Sequence, residues 1–135
     1  MTQLSGSCLC TAISYIANGT FDDFYLCHCK HCQKDTGSAH AANLFSSNAT
    51  LQWQSGEDMI RRFHLPETQH IKSFCSKCGS AMPSWQMDNQ LLVIPAGSLD
   101  HVISTRPTAH IFTSSQTWWA ESLDAIPRYD SLPTT

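Results

Sequence analysis

Basic residues are few: eight Lys and Arg are spread along 135 residues against eleven Asp and Glu, for a net charge of -3. No basic stripe of the kind that phosphate backbones attract is present, which argues against nucleic acid as a direct partner. Long apolar runs are missing as well. Leu91 to Ala96 is interrupted by Pro95 and falls far short of the roughly 20 residues that span a bilayer, so no membrane partner is expected. Met1 to Ser7 holds neither a basic residue nor an apolar run, so it does not resemble a secretory leader. Helical periodicity is scarce, and no repeat, linker or low-complexity segment interrupts the chain.

Cysteine, by contrast, is plentiful and clustered. Seven thiols fall in three groups: Cys8-Leu-Cys10, Cys27-His-Cys29-Lys-His-Cys32 and Cys75-Ser-Lys-Cys78-Gly. An odd number cannot pair fully into disulfides within one chain, and metal-bound thiolates in a reducing, cytoplasmic setting fit better. Thiolates one or two residues apart reach two vertices of a zinc tetrahedron without straining the backbone. Cys8 with Cys10, and Cys75 with Cys78, supply two such pairs, enough for one closed structural site. Cys27, Cys29 and Cys32 supply three ligands and leave a fourth position open, the pattern of a catalytic site. Two zinc ions per chain are expected, the second more easily lost.

Length and a hydrophobic content of 41% describe a single domain over residues 1–135, burying roughly two-thirds of its extended-chain surface. Short runs rich in aromatic and β-branched residues recur between Gly, Asn, Ser and Pro breaks, which predicts a mainly antiparallel β domain. The expected strands are Thr11 to Ala17, Asp23 to Leu26, His40 to Phe45, Thr50 to Gln54, Ile60 to His64, His70 to Phe74, Pro83 to Gln86 and Gln90 to Pro95. Asn18-Gly19 and Ser55-Gly56 read as tight turns. Lys30 to Thr36 reads as a helical turn after the middle cysteines. Beyond Ala96, prolines at 107, 127 and 133 predict connections and an extended tail, Ser131 to Thr135. About 64 residues separate Cys10 from Cys75, so a closed site built from both pairs would tie the first strand to a late hairpin.

Gly6-Ser-Cys8-Leu-Cys10, Cys27 through Cys32 with Gln-Lys-Asp-Thr-Gly37-Ser after it, and Phe74-Cys75-Ser-Lys-Cys78-Gly79 together resemble the glutathione-dependent formaldehyde-activating enzyme family. That family also includes the centromere protein V domain. The likeness continues through Ala96-Gly97-Ser98-Leu99-Asp100, His110-Ile-Phe112, Trp118 and Pro127-Arg128, nearly the whole chain. It implies an antiparallel β-tent zinc fold, with Cys8, Cys10, Cys75 and Cys78 on the structural zinc and Cys27, Cys29 and Cys32 on the catalytic one. It further implies a carbon-sulfur lyase forming or cleaving S-(hydroxymethyl)glutathione, with glutathione and formaldehyde as small-molecule partners. The same family pattern also accommodates an enzyme acting on another thiol or aldehyde, and a non-catalytic zinc β domain serving as a binding module.

Three thiolates on a divalent ion carry a formal charge of minus one, which weakens Lewis acidity and makes delivery of a sulfur nucleophile the expected role. His31 or His40 could instead complete the tetrahedron and close the site. His28, between two ligands, reads as a packed or solvated side chain more readily than as a proton carrier. Lys30, Lys34, Arg61 and Arg62 read as solvated surface. Trp118-Trp119 could cap a pocket, although such pairs more often belong to a core or an interface. Gly79 after Cys78 reads as the residue that lets backbone amides turn toward the sulfurs.

Overall fold

The computed structural model describes residues 1–133; of the tail expected from Ser131, Thr134 and Thr135 lie outside the described residues. Among the described residues the strands are β1 (Thr2–Ser7), β2 (Ser14–Gly19), β3 (Asp23–Cys27), β4 (Ala41–Ser46), β5 (Thr50–Ser55), β6 (Ile60–His64), β7 (Ile71–Cys75), β8 (Ala81–Met82), β9 (Ser84–Gln86), β10 (Leu91–Pro95) and β11 (Ala109–Ile111). One helix, α1 (Lys30–Thr36), follows β3. The strands build three sheets, ordered β1-β2-β5, β11-β3-β4-β10-β9 and β6-β7-β8. The fold is therefore mainly β, as expected, and its described strand pairs are antiparallel except β11 beside β3.

Period-two patterning explains the first sheet. In β2, Tyr15 and Ala17 face inward, and their cross-strand partners in β1 are Gly6 and Leu4, also buried. Alternate residues share a face of the pleat, so one apolar set is enclosed while Ser14, Ile16 and Asn18 stay at least partly accessible. In β10, Leu92, Val93 and Ile94 are all buried because the strand runs between β4 and β9 with both faces covered. Leu4, Ile13, Tyr15, Leu44, Met82, Leu92 and Ile94 form the core, with the Cys8 and Cys75 side chains among them.

Several boundaries depart from the sequence reading. β1 was not expected: Thr2–Ser7 carries one large apolar side chain, and it is held by β2 on one side and by residues 99–101 on the other. There, Gly6 bridges Leu99, the Asp100 amide donates to the Ser5 carbonyl at 3.0 Å, and the Ser5 amide donates to His101 Nε2 at 3.0 Å. Asn18-Gly19 is not a turn but the end of β2, where Gly19 pairs with Thr2. Ser55-Gly56 does turn the chain, with Gly56 at φ 72°. β8 and β11 are too short for periodicity to reveal, and β11 depends on a distant partner, β3. No helix among the described residues is long and apolar enough to cross a membrane.

Candidate metal centres and the cavity beside them

Cys8 follows directly on β1 and Cys75 closes β7, so the first and third sheets each deliver a cysteine pair to one spot. The sulfurs of Cys8, Cys10, Cys75 and Cys78 all lie within 4.8 Å of one another, an arrangement that could hold a metal ion. Cys8 Sγ is 3.6 Å from Cys10 Sγ, and Cys10 Sγ is 3.9 Å from Cys75 Sγ. A disulfide would bring two sulfurs to about 2.05 Å. A tetrahedron with zinc–sulfur bonds of about 2.3 Å has edges of about 3.8 Å, so these spacings suit ligands and exclude bridges.

Backbone amides point at the same sulfurs. Ile13 N donates to Cys8 Sγ at 3.3 Å and Lys77 N to Cys75 Sγ at 3.4 Å. Gly79, at φ 79°, donates its amide to the Cys75 carbonyl at 2.8 Å and lets the loop curl around the sulfur. Ser80 Oγ accepts from Leu9 N at 2.8 Å and lies 3.2 Å from Cys78 Sγ. The Ser80 hydroxyl and amide thereby pull the Cys78 thiol down to about 5. At Cys10 the Ala12 amide favours the thiolate, but burial and the neighbouring sulfurs outweigh it and push the thiol up to about 11. Crowded sulfurs accept one negative charge readily and resist further ones, and a dication removes that conflict. The donor set therefore fits zinc.

The second group gathers Cys27, Cys29 and Cys32, whose sulfurs also lie within 4.8 Å of one another. Cys27 ends β3, Cys29 is the N-cap of α1, and Cys32 sits in its first turn with its amide donating to Cys29 Sγ at 3.3 Å. Burial opposes ionisation of Cys29, yet the Cys32 amide and the other sulfurs overcome it and lower the thiol. Burial raises Cys27, and burial followed by both sulfur neighbours raises Cys32 far more. Within this group one thiolate is favoured and two are disfavoured. Gln33 Nε2 anchors the helix, donating to the carbonyls of His28 at 2.7 Å and Ser115 at 3.0 Å.

All three of these cysteines line a cavity of about 590 Å3 between α1, β4, β7 and β10. Of the other four, Cys8 borders a separate cavity of about 500 Å3. The three-sulfur group faces its cavity with all of its cysteines, a space large enough for a small molecule, while the four-sulfur group stands where β1 and β7 end.

Histidines do not join the sulfurs. His40 packs against His28, ring centroids 5.1 Å apart, and His31 meets the edge of His70 at 5.6 Å. His28 is buried, as its packed reading expected, and its Nε2 lies 2.8 Å from His110 Nδ1. Burial, then the proximity of His40 and His110, lowers its pKa and keeps it neutral. Trp118 and Trp119 are 88% and 43% exposed, so the pair neither fills the core nor lines the cavity. Asp35, His70 and Lys72 were missed by the sequence reading, although all three line the cavity. Their signal was periodicity: Asp35 follows Cys32 by three residues on α1, and positions 70 and 72 share one face of an extended segment.

Comparison with known proteins agrees with this construction. The family model described as glutathione-dependent formaldehyde-activating enzyme matches residues 3–115. No curated protein matches the sequence. A crystal structure of a Rhodobacter sphaeroides protein aligns with a TM-score of 0.60 at 15% identity, covering 79% of this chain and 99% of that one, a likeness of fold. The match across residues 3–115 takes in both sulfur groups and the cavity between the sheets, and the chain belongs to the glutathione-dependent formaldehyde-activating enzyme family.

Proposed function

We propose that the protein is a zinc-dependent carbon-sulfur lyase that joins formaldehyde to the thiol of glutathione, or releases it from S-(hydroxymethyl)glutathione. Family membership supports an activity of this kind. The observation that carries the finer reading is the opening of the three-sulfur group onto the 590 Å3 cavity. In this reading Cys8, Cys10, Cys75 and Cys78 hold a structural zinc, and Cys27, Cys29 and Cys32 hold a second zinc in one 135-residue domain. Zinc bound by three thiolates supplies a cation that favours the thiolate form of a sulfur ligand at its fourth position. The chain's own part is to position and enclose. Cys29 Sγ is fixed by the Cys32 amide, β11 closes the side of Cys27 through the His28 amide donating to the Ile111 carbonyl at 2.9 Å, and Ile111 and Phe112 line the cavity with apolar surface.

A second reading within the same chemistry, a thiol other than glutathione, draws support from charge. Lys72 is the lysine among the described cavity-lining residues, and it is already paired with Asp35 at 2.9 Å. Glutathione carries two carboxylates, so a less anionic thiol meets this wall at lower cost. Exchange NMR with 13C-formaldehyde tests both. Zinc-replete protein should accelerate transfer between free and thiol-bound formaldehyde, Cys29→Ser should abolish the acceleration, and a panel of thiols should rank the substrate. No acceleration with any thiol would refute the lyase reading.

A further inference from the structure

Asp35, His70 and Lys72 form a polar cluster on the wall of the three-sulfur cavity, and none of them is needed to hold a metal. Asp35 Oδ2 lies 2.7 Å from His70 Nε2, and Asp35 Oδ1 lies 2.9 Å from Lys72 Nζ. Lys72 also donates to the Asp35 carbonyl at 2.8 Å. These side chains are 17% to 28% exposed, so each is largely enclosed but reachable from the cavity.

The chemistry of the pair sets the tautomer. An ionised carboxylate only accepts, so His70 Nε2 must carry the hydrogen between them, and a neutral ring then presents Nδ1 as a bare acceptor. Lys72 occupies the other carboxylate oxygen and stops Asp35 from turning away. His31, edge-on to the His70 ring, limits its rotation from the α1 side. A carboxylate fixing an imidazole whose second nitrogen is free is the arrangement that general acid–base chemistry needs.

We propose that His70, held by Asp35, carries the proton of the thiol–aldehyde addition. This rests on the lyase reading above. In the forming direction, His70 Nδ1 takes the thiol proton as the sulfur lone pair makes the carbon–sulfur bond. The carbonyl π pair moves onto oxygen, and the proton on His70 passes to that oxygen to give the hydroxymethyl sulfide. Cleavage runs the same steps backwards: His70 takes the hydroxyl proton, the carbon–sulfur bond breaks as the carbonyl re-forms, and the proton returns to sulfur. One proton is borrowed and returned, and no oxidant or reductant is required. His70 is the catalytic residue in this scheme and Asp35 the positioning residue. The groups beside the ring are Asp35 and His31 from α1 and, through Asp35, Lys72 from β7, with Cys27, Cys29 and Cys32 lining the same cavity.

The test combines 15N NMR of the histidine rings in the zinc-loaded wild-type protein with exchange kinetics of His70→Gln and Asp35→Asn. Wild-type His70 should show the Nε2–H tautomer, and Asp35→Asn should shift it toward a mixture. His70→Gln should keep the wild-type zinc content and lower kcat about 10²- to 10⁴-fold with little change in KM, and the residual rate should lose the histidine limb of its pH profile. A wild-type ring protonated on Nδ1 would overturn the proposal without any variant. So would a His70→Gln rate within threefold of wild type across the pH range, which would leave the cluster as a clamp between α1 and β7. If the wild-type protein itself accelerates no exchange, the lyase reading falls and the role of His70 falls with it.

Discussion

Tyr15 shows how much a single side chain does here. Its ring is buried in the core and meets Trp53 edge-on at 6.1 Å, while its hydroxyl lies 2.6 Å from Ser98 Oγ, which in turn donates to the Pro95 carbonyl at 2.7 Å. Burial opposes ionisation, the Ser98 contact partly offsets it, and the phenol is pushed up to about 12. The sign follows directly: the native state holds this proton more tightly than the unfolded chain, so the contribution to stability is complete below about pH 10 and is lost as pH rises toward 12. Tyr15→Phe should therefore lose stability less steeply between pH 10 and 12, which urea titrations at several pH values would measure. An unchanged slope would show that other groups set the alkaline limit. Gly6 lies opposite Tyr15 across β1 and β2, and a Cβ there would overlap the Tyr15 hydroxyl and the Ser98 carbonyl. Gly6→Ala should cost about 1 to 3 kcal/mol by overpacking, read as a lower urea midpoint at constant m.

Elements, more than residues, bring the two sulfur groups into being. One group joins the end of β1 to the end of β7, strands from different sheets, and structural zinc supplies about 10 to 16 kcal/mol of apparent binding free energy. That matches or exceeds the ~5 to 15 kcal/mol stability of an ordinary domain. Cys75→Ser should accordingly leave the chain largely unfolded or insoluble, and a soluble variant with a cooperative melt would refute the structural role of that group. In β10, Ile94→Ala empties a fully buried site and should cost about 2 to 5 kcal/mol in a chemical melt. The helix was legible because the same spacing that groups Cys29 with Cys32 also makes an N-cap and first turn. β1 and β11 were not, because neither carries enough apolar or β-branched residues to announce a strand. β1 is held by β2 and by Leu99, and β11 by β3, which lies 84 residues away in sequence, so the pairing of each depends on a partner that its own residues do not announce.

At the scale of the whole molecule, all seven cysteines were legible from their spacing, and the fold gathers their sulfurs into one group of four and one of three, each able to hold a metal ion. The cavity was not legible, because its walls come from α1, β4, β7 and β10 and no single stretch of sequence contains them. His70 and Lys72 matter because β7 passes α1, a fact of topology. The architecture divides the sulfurs between a group where strands of two sheets end and a group along the 590 Å3 cavity. Zinc counted per folded chain tests that division most directly, using protein purified under reducing conditions with neither chelator nor added metal, wild type beside Cys29→Ser. Two zinc ions in the wild type and one in a still-folded Cys29→Ser would agree with a structural site and a separate open one. Equal zinc content in the two proteins would contradict it.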